Sequence, residues 1–275
     1  VDYGTGTYAE AVVHPLAGFE SIAEIDASYS WPDPDWYDYS VIPAEIEAHA
    51  DRPIQLSLAG MYTQFTVLRG IEQAFGDFAL NPELVRACMD RMADFHAEVA
   101  ARSFAAAGPA GTPQGIDIGM VANDMGSQQD LLFSPATVRR LFLPGIRRLA
   151  ELTHRYGARV FLHSDGAIRR IIPDLIEAGV DILNPVQWRA RGMEREGLKR
   201  DFGEHLIFHG ALDNQETLAF GSPDQVRAEV RENIAILGAG GGYILAPCHN
   251  IQPVSPMENI VAMYEEGYRV GRGGR

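Results

Sequence analysis

Six short apolar runs recur along the chain after residue 50, and a helical pattern follows each of them. Strands that alternate with helices pair in parallel, because a parallel neighbour is reached only through a crossover connection. The predicted strands are 53–58, 116–121, 159–163, 180–184, 206–210 and 243–247. The predicted helices are 82–107, 135–156, 167–179, 193–202, 222–237 and 256–270. The alternation therefore predicts an α/β fold built on a parallel sheet.

Four of the predicted helices begin with a side chain that can cap a helix, followed by a proline. Proline suits the first helical turn, where its missing N–H would have no partner in any case. These pairs are Asn81-Pro82, Ser134-Pro135, Ser222-Pro223 and Ser255-Pro256. They fix where the helices start and strengthen the alternating pattern.

Glycine-rich phosphate motifs are absent from the sequence. Neither G-x-G-x-x-G nor G-x-x-x-x-G-K-[ST] occurs, which disfavours a nucleotide-binding doubly wound sheet. The length of 275 residues fits one α/β barrel, although a closed barrel needs eight strands.

We predict a single domain over 1–275, with an irregular lid segment at 1–50 and the barrel at 51–270. One further strand is predicted near 10–14, and the aromatic and acidic stretch 29–39 could form a lid or a dimer contact.

The charge and the cysteine content exclude several classes of protein. A net charge of −14 disfavours a nucleic-acid partner and gives no attraction to a membrane surface. Two cysteines, Cys88 and Cys248, are too few for a disulfide framework. No apolar run reaches the roughly 20 residues that span a bilayer, and we expect no signal peptide. We expect a cytoplasmic enzyme, with a homodimer left open.

Side chains that can bind ligands follow the carboxyl ends of the predicted strands. In a parallel barrel these ends converge on one pocket. The candidates are Tyr62, Asp124, Gln128, His163, Asp165, Asn184, Gln187, Asp213, Cys248, His249 and Asn250. A packed core alone would not require polar groups in these places.

The candidates at the ends of the third and the sixth predicted strands suggest a metal site. His163, Asp165 and His249 would supply two imidazoles and a carboxylate, which is a ligand set for catalytic zinc. Cys248 could replace His249, but neighbouring side chains on an extended strand point to opposite faces, so we expect only one of them to bind. Ferrous iron takes the same two-histidine, one-carboxylate set. Without a metal, these imidazoles would be ordinary hydrogen-bonded groups.

Six segments resemble one family, and together they cover about residues 50–270 in the family's order. They are NDMGSQ (123–128), HSDG (163–166), IEAGVDILNPVQ (176–187), LKRDFG (198–203), FHGALDNQETL (208–218) and GGGYILAPCHNIQPVSPMENIVAMYE (240–265). The chain resembles the uroporphyrinogen decarboxylase superfamily, which includes cobalamin-dependent methyltransferases. The resemblance implies a (β/α)8 TIM barrel. Full-length members carry extra N-terminal sequence, so we expect this chain to lack part of the N-terminal region of the barrel.

The resemblance favours the methyltransferase-like branch. That branch binds zinc through His-x-Cys at one strand end and a Cys in the last glycine-rich segment. Here His163 matches the histidine, Asp165 stands at the first cysteine, and His249 or Cys248 stands at the second. The decarboxylase branch uses no metal and holds its substrate with N-terminal arginines, an Asp, a Tyr and a His. Only His249 matches that set, and Arg69 is a poor substitute for the arginines.

The resemblance implies a metal-dependent methyltransferase. It would move a methyl group between a small methoxylated or methylated compound, or a thiol, and a corrinoid carried by a partner protein. Zinc is the expected metal, with iron as the alternative, and Asp124 and His249 are the catalytic candidates. The substrate-binding candidates are Tyr62, Gln128, Asn184, Gln187, Asp213 and Asn250. Two alternatives stay open: a metal-free decarboxylase of a carboxylic acid or tetrapyrrole, and a non-catalytic barrel that binds a corrinoid or tetrapyrrole.

Overall fold

A computed structural model describes residues 11–271 and shows one parallel sheet of six strands. The strands are β1 (Gln55–Ala59), β2 (Ile118–Ala122), β3 (Arg159–His163), β4 (Ile182–Asn184), β5 (Ile207–Leu212) and β6 (Tyr243–Pro247). All six predicted strands are confirmed, each to within two residues at either end.

The strands lie in the sheet in the order in which they occur along the chain, β1 to β6. A doubly wound sheet reverses its order at a switch point, whereas a (β/α) barrel does not. The connectivity is therefore that of a barrel. Within residues 11–271, β1 and β6 are not joined by hydrogen bonds, so the sheet keeps two edges.

Helices connect the strands and cover the outer face of the sheet. They are α1 (Ile22–Ser28), α2 (Ile42–Glu47), α3 (Met61–Arg69), α4 (Ile71–Leu80), α5 (Pro82–Ala106), α6 (Pro135–Thr137), α7 (Leu143–Arg155), α8 (Ile172–Glu177), α9 (Arg195–Phe202), α10 (Thr217–Phe220), α11 (Pro223–Leu237) and α12 (Met257–Gly271). One turn of π-helix, Val138–Phe142, joins α6 to α7. Along the described part of the chain, no helix is both long and apolar enough to cross a lipid bilayer.

The N-terminal segment differs from the prediction. Residues 11–14 form no strand, and residue 10 lies outside the described range. The segment contains α1 and α2, and the stretch 29–39 packs on α5, where Tyr37 contacts Phe95.

A buried arginine at the end of α3 anchors the start of this segment. Arg69 forms an ion pair with Asp77 at 2.6 Å, and its guanidinium donates hydrogen bonds to the carbonyl oxygens of Leu16 and Phe19. Its role is structural, and it is not available to bind substrate.

The register of the central strands brings three polar residues into one layer. β3 pairs His163 with Asn184 of β4, and β4 pairs Leu183 with Phe208 of β5. One step further along that register, Asn184 comes beside His209. Since side chains alternate along a strand, residues at the same level of neighbouring parallel strands point to the same face. His163, Asn184 and His209 therefore share the inner face of the sheet.

Candidate metal centre

The loops after β2 and β3 pack directly against each other. Gly166 has φ +88°, and a Cβ atom there would lie 2.5 Å from the carbonyl carbon of Gly126. The N–H of Met125 donates to Oγ of the fully buried Ser164 at 3.0 Å. Only glycine allows this backbone approach and this φ. The short H-S-D-G sequence thus holds one loop against the other.

This packing brings Asp124, His163 and Asp165 together. Each offers one ligand atom, and these atoms all lie within 4.8 Å of one another. Nε2 of His163 lies 3.4 Å from Oδ1 of Asp124 and 3.9 Å from Oδ2 of Asp165. The backbone N–H of Asp165 also donates to Oδ1 of Asp124 at 3.1 Å, which holds that carboxylate in place.

A chain of hydrogen bonds determines which nitrogen of His163 faces the cluster. Nδ1 of His163 lies 2.6 Å from Oδ1 of Asn184, and Nδ2 of Asn184 donates to Nδ1 of His209 at 2.7 Å. Burial, followed by the nearby His163, lowers the pKa of His209, so its ring is neutral and can accept this bond. Nδ1 of His163 therefore donates to Asn184, and Nε2 is the nitrogen that faces the cluster, where it could bind a metal ion.

Burial is the main reason why ionisation of Asp165 is disfavoured, and the neighbouring carboxylate of Asp124 adds to it. Burial raises the pKa of Asp165; His163 opposes this rise, Asp124 adds to it, and His249 opposes it. A divalent cation between the carboxylates would remove this cost. Zinc accepts carboxylate oxygens and imidazole nitrogens as ligands. The residues present therefore fit a metal ion.

The residues at the end of β6 lie beside this group. The ring centroid of His249 is 6.3 Å from that of His163, and His249 influences the pKa of Asp165. The thiol of Cys248 is buried, donates to the carbonyl oxygen of Val186 at 3.3 Å, and has a pKa raised well above its usual value by burial. The structure thus groups Asp124 with His163 and Asp165, with His249 next to them.

A cavity of about 330 Å³ opens next to the cluster, and Gln128 and Gln187 border it. Its lining comprises Gln128, Asp165, Gln187, Asn214, Gln215, Cys248, His249 and Gln252. Asn250 is exposed on the loop after β6. Five of the sequence candidates, Gln128, Asp165, Gln187, Cys248 and His249, therefore line one space.

Asp213 and Tyr62 occupy different surroundings. The carboxylate of Asp213 accepts hydrogen bonds from the backbone N–H groups of Gln215 and Thr217 and from Arg189, so it holds the turn into α10. Burial raises the pKa of Tyr62, with a further contribution from Asp124. The Tyr62 ring packs among Phe75, Phe78, Phe133 and Phe142.

Barrel connectivity and a carboxylate–imidazole cluster at the strand ends define an α/β-barrel protein with a candidate metal site. The chain belongs to the uroporphyrinogen decarboxylase (URO-D) family, whose model matches residues 49–269. This finding confirms the resemblance.

Two curated relatives and one solved structure are similar to the chain. It is 30% identical over 149 residues to the methylcobamide:CoM methyltransferase MtaA of Methanosarcina barkeri, and 28% identical over 149 residues to that of M. barkeri strain Fusaro. Each match covers 54% of this chain but 40% of the relative. A methyltransferase structure from Methanosarcina mazei aligns over 93% of this chain and 70% of its own length, with a TM-score of 0.67 and 20% identity. At that identity the structural match bears on the fold.

Proposed function

We propose that this protein is a methyltransferase in which Asp124, His163 and Asp165 hold a metal ion. The observation that carries the proposal is the grouping of three ligand atoms within 4.8 Å. The bond from Nδ1 of His163 to Asn184 supports it, because metal-binding histidines commonly donate their other ring N–H to a neighbouring acceptor. The names of the curated relatives support the reaction class.

Zinc is the metal proposed, with ferrous iron as the alternative. When bound, the metal would act as a Lewis acid on a substrate heteroatom and stabilise negative charge there. Of the two cysteines that the resemblance implies, the first is replaced here by Asp165, and His249 or Cys248 stands at the position of the second. The ligand set is therefore rich in oxygen and nitrogen rather than sulfur. Cys248 stays outside our preferred set because its buried thiol already donates to a carbonyl.

The residues of the chain would share the remaining work. Asn184 and His209 orient His163, and the N–H of Asp165 orients Asp124. His249 borders the cavity beside Asp165, where it could move a proton at the substrate heteroatom. We propose a small methylated compound or a thiol as substrate and a corrinoid on a partner protein as the other methyl carrier. The cytoplasmic location and a homodimer stay predictions.

Metal binding is the first test of this proposal. Metal-free protein dialysed against zinc should retain one ion per chain, whereas His163→Ala and Asp165→Ala should bind zinc at least about tenfold more weakly, because each loses a ligand. His205→Ala is a matched control, since His205 is exposed and lies before the first residue of β5, at the opposite end from the cluster. Atomic absorption after equilibrium dialysis measures the occupancy. Full occupancy in His163→Ala would refute the assignment.

Methyl transfer is the second test. Zinc-loaded protein should move the methyl group of methylcobalamin to a thiol, and the change in corrinoid absorbance follows the reaction. His163→Ala should lose the activity and His205→Ala should keep it. Carbon dioxide release from a carboxylic acid by metal-free protein would support the decarboxylase alternative instead.

A further inference from the structure

The cavity beside Asp165 and His249 is lined mainly by carboxamides. They are Gln128, Gln187, Asn214, Gln215 and Gln252. The volume of about 330 Å³ is in the range that holds small ligands. None of the described residues that line this cavity is Lys or Arg. The lining therefore offers hydrogen bonds without a formal positive charge.

Gln187 fixes the direction of this carboxamide network. Its side chain is buried, and its Oε1 accepts the N–H of Gly166 at 2.8 Å. Gly166 is itself held against the loop after β2, so the acceptor end of Gln187 is determined. The Nε2 group must then point the other way. It donates to Oε1 of Gln128 at 3.1 Å and to Oε1 of Gln215 at 3.4 Å.

This arrangement makes the cavity a donor of hydrogen bonds. Because Gln187 occupies the Oε1 atoms of Gln128 and Gln215, their Nε2 groups are the uncommitted ends, and neither has a partner within residues 11–271. An anionic ligand would meet these donors but also the carboxylate of Asp165, and the described lining holds no Lys or Arg to offset the repulsion. The oxygen of a neutral ligand accepts hydrogen bonds from the same donors and is not repelled by Asp165.

We propose that the cavity selects an uncharged small molecule with acceptor oxygens, such as an ester, ketone or methyl ether, and that Gln187 sets this preference. The inference rests on the proposed function, because it names the substrate class of the same site. The preference for an uncharged ligand depends on the carboxamide side chains and does not require a bound metal ion.

A pair of probes with one skeleton tests the preference. Methyl 3-mercaptopropanoate and 3-mercaptopropanoate share the thiol and differ in a neutral ester against a carboxylate. Isothermal titration of metal-free protein should show at least about tenfold tighter binding of the ester, equivalent to about 1.4 kcal/mol. Equal or tighter binding of the carboxylate would overturn the inference.

Gln187→Glu tests the role of Gln187. The glutamate still accepts the N–H of Gly166 but has no N–H to donate, so Gln128 and Gln215 should turn their Nε2 groups towards it and present Oε1 to the cavity. Binding of the ester should weaken about 30-fold, equivalent to about 2 kcal/mol, since two donors are lost and each hydrogen bond contributes about 1 kcal/mol. The control Gln129→Glu adds the same charge at an exposed residue that does not line the cavity and should change the affinity less than about twofold. Unchanged ester binding in Gln187→Glu would contradict the proposal.

Two further measurements separate the effect of the carboxamides from a folding defect and from an effect of the metal. Gln215→Leu leaves the hydrogen bond from Gly166 to Gln187 in place, so this variant should fold. It should bind the ester more weakly than the wild type, because the donor of Gln215 is lost. In metal-free protein, methyl propanoate should shift the side-chain amide signals of Gln187 and Gln215 in NMR spectra, and propanoate should not. If zinc does not bind but this ester preference is found, the metal proposal fails alone. If zinc binds and neither experiment favours the ester, the present inference fails alone.

Discussion

His209 orients a residue of the metal cluster that it does not contact. Its neutral ring accepts the Nδ2 group of Asn184, which leaves Oδ1 of Asn184 for Nδ1 of His163. If that acceptor were absent, the amide of Asn184 could turn over and present a donor to His163. The imidazole would then favour the tautomer with its proton on Nε2, and this nitrogen would have no lone pair to offer a metal ion in the cluster.

Replacing His209 should therefore weaken metal binding. We expect His209→Leu to raise the dissociation constant for zinc about 10- to 100-fold, the usual effect of losing a group that orients a metal ligand. His209→Asn places an amide oxygen near the position of Nδ1 and should restore most of the affinity. Competition with a chromogenic chelator measures the constants, and ¹⁵N chemical shifts of the His163 ring report its tautomer. Wild-type affinity in His209→Leu would show that Asn184 needs no second partner.

The sequence identified most of the cluster but not this supporting residue. His163 is the last residue of β3, Asp165 and Asp124 come two residues after the ends of β3 and β2, and strand ends are where barrel sites form. His209 lies inside β5, where its neighbour depends on the register between β4 and β5. Register is a tertiary property, although counting both strands from their predicted starts would have brought Asn184 near His209.

At the scale of elements, Glu266 joins the last two long helices. Its side chain on α12 is 5% exposed and accepts hydrogen bonds from Arg231 of α11 at 2.8 Å and from Arg269 of α12 at 2.9 Å. These bonds lower the pKa of Glu266 from its ordinary value of 4.5 to about 2. The ionised carboxylate is therefore favoured in the folded chain.

This pKa shift predicts how the stability of the helix pair depends on pH. A carboxyl group with a lowered folded pKa stabilises the fold fully above its unfolded pKa of 4.5, and the contribution is lost as the pH falls towards about 2. Glu266→Gln should therefore lower the urea midpoint at pH 7, and its difference from wild type should shrink at pH 3. Glu265→Gln, at an exposed position of the same helix, is the control. A difference that is constant with pH would show that the two arginines do not favour the ionised form.

Helix starts were predictable where a side chain makes the cap. Ser222 forms a complete capping box with Gln225, as its position before proline suggested. Asn81 precedes a proline in the same way but makes no cap, and its side-chain amide donates to Asp77. The helices α3 and α4 were missed. Neither begins with a side-chain cap, and only Gly70, at φ +84°, separates them.

At the scale of the whole molecule, the sequence predicted the six strands and their parallel pairing but not how the sheet ends. Apolar runs are local and can be counted, whereas the pairing of the first strand with the last depends on tertiary contacts. In the described residues, β1 and β6 each have one neighbour and the four inner strands have two. Pro247 at the end of β6 suits an edge, since proline has no N–H to donate.

Hydrogen exchange can test whether β6 is an edge in solution. The N–H of Cys248 donates to the carbonyl oxygen of Leu212 on β5, and because donors alternate along a parallel strand, Ala246 should also face β5 while Leu245 faces away. We expect the amide of Leu245 to exchange at least about a hundredfold faster than that of Leu162 in the central strand β3, with Ala246 protected more than Leu245. Amide exchange followed by NMR measures all three rates. If Leu245 were as protected as Leu162, the outer side of β6 would carry a further hydrogen-bonded strand, and the sheet would have to be extended or closed in solution.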